Sequence, residues 1–160
     1  MEKLAAKAAP TESPNVLRLV DIAFDDAASL LARYALKLER VADGDTIPGS
    51  YWGEPEAGLI GGTVYARGDT PVHSLLHEAC HLVVLTPERR AAVHTDATDS
   101  VDEEDAVCVL QVLLADALPG VGRDRLLAAM DAWGYSFRLG SARAYQATVL
   151  IVSNGAYGAR

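Results

Sequence analysis

The run Asp69-Thr70-Pro71-Val72-His73-Ser74-Leu75-Leu76-His77-Glu78-Ala79-Cys80-His81-Leu82-Val83-Val84-Leu85 is the most informative stretch of this 160-residue chain. A threonine followed by proline is a helix start, with Thr70 as the capping side chain and Pro71 in the first turn. Pro87 bars continuation, so the spacing predicts a helix from about Pro71 to Leu85. Val72, Leu75, Leu76, Ala79, Cys80 and Leu82 to Leu85 place apolar groups almost all round it, the pattern of a buried helix. Inside it lies His77-Glu78-Ala79-Cys80-His81, an H-E-x-x-H pattern. Residues four apart stack one turn above each other, so both imidazoles face the same way. Two such rings can bind one zinc ion through ring nitrogens at about 2.0–2.1 Å. Glu78 is rotated by roughly 100° from His77, which leaves it outside the ligand set but able to reach a water there as a general base.

Outward from this helix, Leu59-Ile60, Gly61-Gly62 and Thr63-Val64-Tyr65 read as a short hairpin or one strand with a glycine bulge. Ile47 to Ala57, with Pro48, Gly49, Gly53 and Pro55 around Tyr51 and Trp52, reads as an ordered loop. Between Phe24 and Val41, the residues Ala27, Leu30, Leu31, Tyr34, Leu38 and Val41 recur at spacings of three and four, which predicts one amphipathic helix ending at Asp43-Gly44-Asp45. After the H-E-x-x-H helix, Thr86-Pro87-Glu88 starts a short helix and His94 to Asp102 is irregular. Glu103 to Leu118, Arg123 to Trp133 and Ser141 to Val152 read as further helices. The expected class is α+β: a mainly helical single domain with a small β-hairpin or short sheet, over residues 15–155 between tails at 1–14 and 156–160.

Composition sets the bounds. Half of the residues are apolar and 22% are charged, enough to bury a core. Apolar stretches such as Leu82–Leu85 and Val149–Val152 are far short of the roughly 20 residues that a bilayer demands. Fourteen Lys and Arg against 22 Asp and Glu give a net charge of −8, which offers no electrostatic footing for nucleic acid. Met1-Glu2-Lys3-Leu4-Ala5-Ala6-Lys7 is too charged for a secretion signal. Cys80 and Cys108 both sit in apolar runs and read as reduced thiols, with Cys80 a small core filler. The expected setting is cytoplasmic.

A hydrolytic site needs a third protein ligand. Val84 and Pro87 stand where an extended motif would have Gly and His, which disfavours a three-histidine site. The helix beginning Asp102-Glu103-Glu104-Asp105 supplies carboxylates. From Glu103 the positions three, four and seven on are Ala106, Val107 and Leu110, an apolar face; from Glu104 they are Val107, Cys108 and Gln111. That phase favours Glu103 as the ligand, with Glu104 as its rival and the remaining acidic residues serving the helix dipole. His94 and Asp96 are further candidate ligands. His73, one turn before His77, reads as a solvent-facing first-turn residue, since it cannot chelate with both others across about 12 Å of helix rise. Tyr135 and Arg138 are candidates to stabilise a developing oxyanion.

His77-Glu78-x-x-His81 followed by a helix with Glu103-x-x-Ala106 resembles the gluzincin-type zincins, in which a glutamate of a later helix completes a His/His/Glu zinc site. The same spacing is similar to the ImmA/IrrE-type zinc peptidases. Leu76-His77-Glu78-x-x-His81, Arg89-Arg90 and an acidic helix carrying Gln111 resemble in order the elongation factor P hydroxylase family, which implies iron instead of zinc and hydroxylation of a protein lysine. Over most of its length, from Thr70 to Leu85 and from Asp131 to Ser141, the chain resembles an uncharacterised bacterial family with the same runs. The resemblances imply a Zn²⁺ hydrolase of peptide or amide bonds acting on a peptide or protein substrate. Two alternatives are an Fe²⁺/O₂ hydroxylase and a non-catalytic metal-binding interaction domain. The strand near Thr63–Ala66 is a candidate edge for pairing with an extended peptide.

Overall fold

The structure, a computed structural model, describes residues 15–98 and 100–134. Expected tails at 1–14 and 156–160, the helix at Ser141–Val152, and the candidates Tyr135 and Arg138 lie outside the described residues. Within them the fold is α+β and mainly helical: α1 (Phe24–Ala32), β1 (Lys37–Val41), β2 (Gly58–Ile60), β3 (Thr63–Arg67), α2 (Val72–Val83), α3 (Pro87–Ala91), α4 (Val101–Ala115) and α5 (Gly122–Trp133). No helix among them is long and apolar enough to cross a membrane.

The single helix expected from Phe24 to Val41 is instead a helix and a strand. α1 stops at Ala32, and Ala35 takes a left-handed conformation with φ of 58°. The amides of Leu36 and Ala35 return to the carbonyls of Leu31 and Ala32, both at 3.1 Å, which closes the helix as a Schellman turn. That turn ordinarily advertises itself with glycine, and here alanine occupies the left-handed position. Leu38, which continues the helical spacing, belongs to β1 and faces Val64 across the sheet.

The three strands form one sheet in the order β1-β3-β2, with β1 parallel to β3 and β2 antiparallel to it. β2 and β3 are the hairpin read around Gly61-Gly62. β3 is therefore the central strand, which corrects the expectation that Thr63–Ala66 offers a free edge. The far side of β2 is also engaged: Leu59 N donates to the Gly49 carbonyl, Thr95 N to the Leu59 carbonyl and Gly61 N to the Val93 carbonyl.

Leu38, Leu59, Val64 and Ala66 join Leu75, Leu76, Leu82, Val107, Val112, Leu126 and Met130 in one core. α2 runs through the middle of it, with ten of its twelve residues buried, as its all-round apolarity demands. Its N-cap is Pro71 without a side-chain cap. Thr70 Oγ1 accepts from Arg67 N at 2.9 Å instead, so this hydroxyl closes the turn between β3 and α2. Thr86 and Ser100 do cap α3 and α4, and Gly134, at φ of 89°, ends α5 as read.

Candidate metal centre

The i, i+4 spacing on α2 brings the two imidazoles together with Nε2 of His77 3.2 Å from Nε2 of His81. His77, Glu78 and His81 each offer a ligand atom, all within 4.8 Å of one another, a cluster that could hold a metal ion. Both histidines are buried and Glu78 is half-buried.

The third group is Glu104, not Glu103. Glu104 Oε1 lies 3.0 Å from His81 Nε2 and its Oε2 3.5 Å from His77 Nε2. Glu103 points the other way, paired with Arg89 Nη1 at 2.5 Å and accepting from the Thr98 hydroxyl. The apolar phase of Glu103 misled because α4 buries Glu104, Val107, Cys108, Gln111 and Ala115, while Ala106 is exposed and Leu113 is 40% exposed. Polar groups occupy the buried face, so the helix hides its orientation from an apolarity count. The signal that could have found it was Glu104-x-x-x-Cys108-x-x-Gln111, a polar stripe too regular for a surface.

Gln111, wholly buried, fixes the chemistry of His77. Its Nε2 donates to the His73 carbonyl at 2.8 Å, and its Oε1 lies 3.0 Å from His77 Nδ1. A carbonyl only accepts, so the amide nitrogen must face His73 and the amide oxygen must face His77. Nδ1 of His77 therefore carries hydrogen, and in the neutral ring Nε2 presents its lone pair to the cluster.

The electrostatics follow from burial and these contacts. Burial opposes the charged form of Glu104, but hydrogen bonding to His77 and His81 outweighs it and holds the carboxyl at about 2. Burial pulls His77 down, and hydrogen bonding with Cys108 and Glu104 overcomes this and pushes it well above its ordinary value. Burial raises Glu78, with His81 and His77 pulling back. A carboxyl raised in this way is suited to accepting and releasing a proton.

The residues fit a cation. Glu104 Oε2 is buried with His77 Nε2 3.5 Å away and no closer hydrogen bond among the described residues, a position that favours positive charge beside it, an imidazolium or a metal ion alike. Ligands at about 2.0–2.1 Å in a tetrahedral site lie about 3.3 Å apart; the two imidazole nitrogens stand at 3.2 Å, with one Glu104 oxygen 3.0 Å from His81 Nε2 and the other 3.5 Å from His77 Nε2.

Other sequence candidates fall elsewhere. His94 is exposed with Nδ1 2.8 Å from Thr95 Oγ1 and is not among the residues that line the cleft in front of the cluster, whereas Asp96 is. His73 is fully buried against Trp133, ring centroids 5.1 Å apart, because α5 packs over the first turn of α2. Burial lowers its pKa to about 3. Missed by sequence reasoning were Tyr51 and Trp52, which line the same cleft, and Glu56, buried with Oε1 accepting from Trp133 Nε1 at 2.7 Å. Cys80 and Cys108 are buried and are not in a disulfide.

Fold and site together define a helix-dominated α+β protein with a buried histidine–carboxylate cluster able to take a metal ion. Comparison with family models, with curated proteins and with solved structures finds no match to the chain.

Proposed function

We propose that this protein is a zinc-dependent hydrolase of peptide or amide bonds. His77, His81 and Glu104 would hold the ion, and Glu78 acts as general base. The observation that carries the reading is the convergence of two imidazole nitrogens, 3.2 Å apart, on the two oxygens of one buried carboxylate, 3.0 and 3.5 Å away. When bound, such an ion polarises a substrate carbonyl and acidifies water.

The remaining chemistry belongs to the chain. Glu78 is adjacent to the ligand atoms yet offset around the helix, where its carboxylate removes a proton from the attacking water and passes it to the departing amine. Burial, which raises its proton affinity, serves both halves of that transfer. Gln111 holds the His77 ring, and the α2–α4 packing sets Glu104 opposite it.

Elemental analysis of chain purified without added metal, with amide cleavage measured for Glu78→Gln, tests the proposal. The expected result is about one zinc per chain, retained in Glu78→Gln while cleavage falls by about 100-fold or more, on the order seen when a general base is lost. Iron in place of zinc would support the hydroxylase reading, since two histidines and one carboxylate also suit Fe(II). Absence of stoichiometric metal, or unchanged turnover in Glu78→Gln, would overturn the hydrolase.

A further inference from the structure

We infer that Tyr51 and Trp52 form the specificity rim of the metal cleft and select substrates with an aromatic or large aliphatic side chain beside the scissile bond. This rests on the hydrolase reading and names its substrate class.

The two rings stand edge to face, centroids 5.0 Å apart at 80°, and line one cleft together with His77, Glu78, His81 and Glu104. They are 48% and 36% exposed, two of the four large hydrophobics left exposed among the described residues. Exposed aromatics that line a cleft are the kind of apolar surface that marks a ligand-binding site. Their loop is pinned on both flanks. Gly49 and Leu59 share a hydrogen bond of 3.1 Å, Ala57 N donates to Ser74 Oγ at 3.0 Å, and Glu54 bridges Ile47 N and Arg67 Nη1. The rings are thus carried to the cleft by a fixed base.

Cleft size and charge define what they take. About 20 Å³ is open to a water-sized group, room for little more than one such group. A scissile carbonyl can enter, and the side chain next to it stays outside, where the exposed Tyr51 and Trp52 rings offer the apolar surface of the lining. The lining carries three carboxylates, of Glu78, Asp96 and Glu104, and no lysine or arginine. Against a bound dication these carboxylates leave a net charge of about −1, so an acidic side chain gains nothing there and an apolar one is retained.

The test uses the zinc-loaded full chain and three hydroxamates: acetohydroxamate, N-acetylphenylalanine hydroxamate and N-acetylglutamate hydroxamate. Titration calorimetry gives the affinities, and tryptophan emission, compared with that of Trp52→Ala in which the buried Trp133 alone emits, reports on Trp52. The phenylalanine probe should bind about tenfold tighter than acetohydroxamate, as expected for burying one aromatic ring on another, and should shift the emission. The glutamate probe should bind no tighter than acetohydroxamate. In Trp52→Ala and in Tyr51→Ala the phenylalanine advantage should shrink to under about threefold, and Trp52→Phe should restore most of it. An advantage that survives both alanine variants, or a glutamate probe as tight as the phenylalanine probe, overturns the rim alone. Failure of acetohydroxamate itself to bind overturns the metal-site reading and the rim with it.

Discussion

His77 Nδ1 and Gln111 Oε1 are 3.0 Å apart, and this contact joins α2 to α4 at the point where the chemistry is set. Gln111 can offer only its oxygen there, because its nitrogen is committed to the His73 carbonyl. One buried amide thus determines which nitrogen of His77 faces His81 and Glu104. Removing this contact has a defined consequence. Gln111→Leu should weaken zinc binding by about 10–100-fold, the range for a partner that orients a metal-binding imidazole. Gln111→Glu, which keeps an acceptor toward Nδ1, should retain more affinity than Gln111→Leu. Competition against a chromogenic chelator measures both. Equal affinity in all three proteins would remove Gln111 from the site.

Two neighbouring glutamates separate the proposed ligand from the surface ion pair. Glu104→Ala should abolish stoichiometric zinc. Glu103→Ala should keep the metal and cost at most about 1 kcal/mol, as for a solvent-accessible pair, since it loses only Arg89 and Thr98. Elemental analysis with urea unfolding distinguishes them, and the reverse pattern would restore Glu103 as ligand.

Glu56 predicts a pH dependence of stability. Burial pushes its carboxyl up to about 7, with the Trp133 hydrogen bond pulling back, Glu78 raising it and His77 lowering it. An unfolded glutamate titrates near pH ~4.3. Between these values the folded chain keeps a proton that the unfolded chain has released, so this group's contribution is complete below about pH 4.3 and is lost as pH rises through about 7. Glu56→Gln keeps an oxygen for Trp133 and cannot ionise. Relative to the parent it should gain roughly 2–3 kcal/mol between about pH 4.5 and about pH 8, since each pH unit separating the folded and unfolded titrations is worth about 1.4 kcal/mol. Urea unfolding of both proteins at those two pH values checks this, and parallel curves would refute it.

Gly58 tests the loop that carries the aromatic rim. A Cβ there would stand 1.9 Å from the Pro48 carbonyl oxygen and 2.7 Å from Ser50 N, backbone atoms that cannot yield cheaply. Gly58→Ala should therefore destabilise the fold by about 1–3 kcal/mol, as overpacking does, or displace residues 48–52. Thermal unfolding and the emission of Trp52 together record either outcome.

Much of this was legible in the order of residues. All-round apolarity made α2 a buried helix, and an i, i+4 pair on such a helix brings its two imidazoles together whatever surrounds it. The Gly61-Gly62 pair, the Thr86-Pro87 start and Gly134 marked the hairpin, α3 and the end of α5, because these signals act within a few residues of themselves.

What the tertiary structure decided was every choice between equivalent local options. Leu38 satisfies a helix and a strand alike, and only pairing with Val64, together with a left-handed alanine at Ala35, makes it strand. Glu103 and Glu104 are equally plausible on one turn of α4. The rotation of that helix against α2 is set by packing of Val107, Val112 and Ala115, and it turns Glu104 and Gln111 inward. Tyr51 and Trp52 reach the cleft because β2 holds their loop. Local sequence specifies which backbone shapes are accessible, but the face that a segment shows to a distant partner depends on how the whole core closes, and that is a property of contacts between residues far apart in the chain.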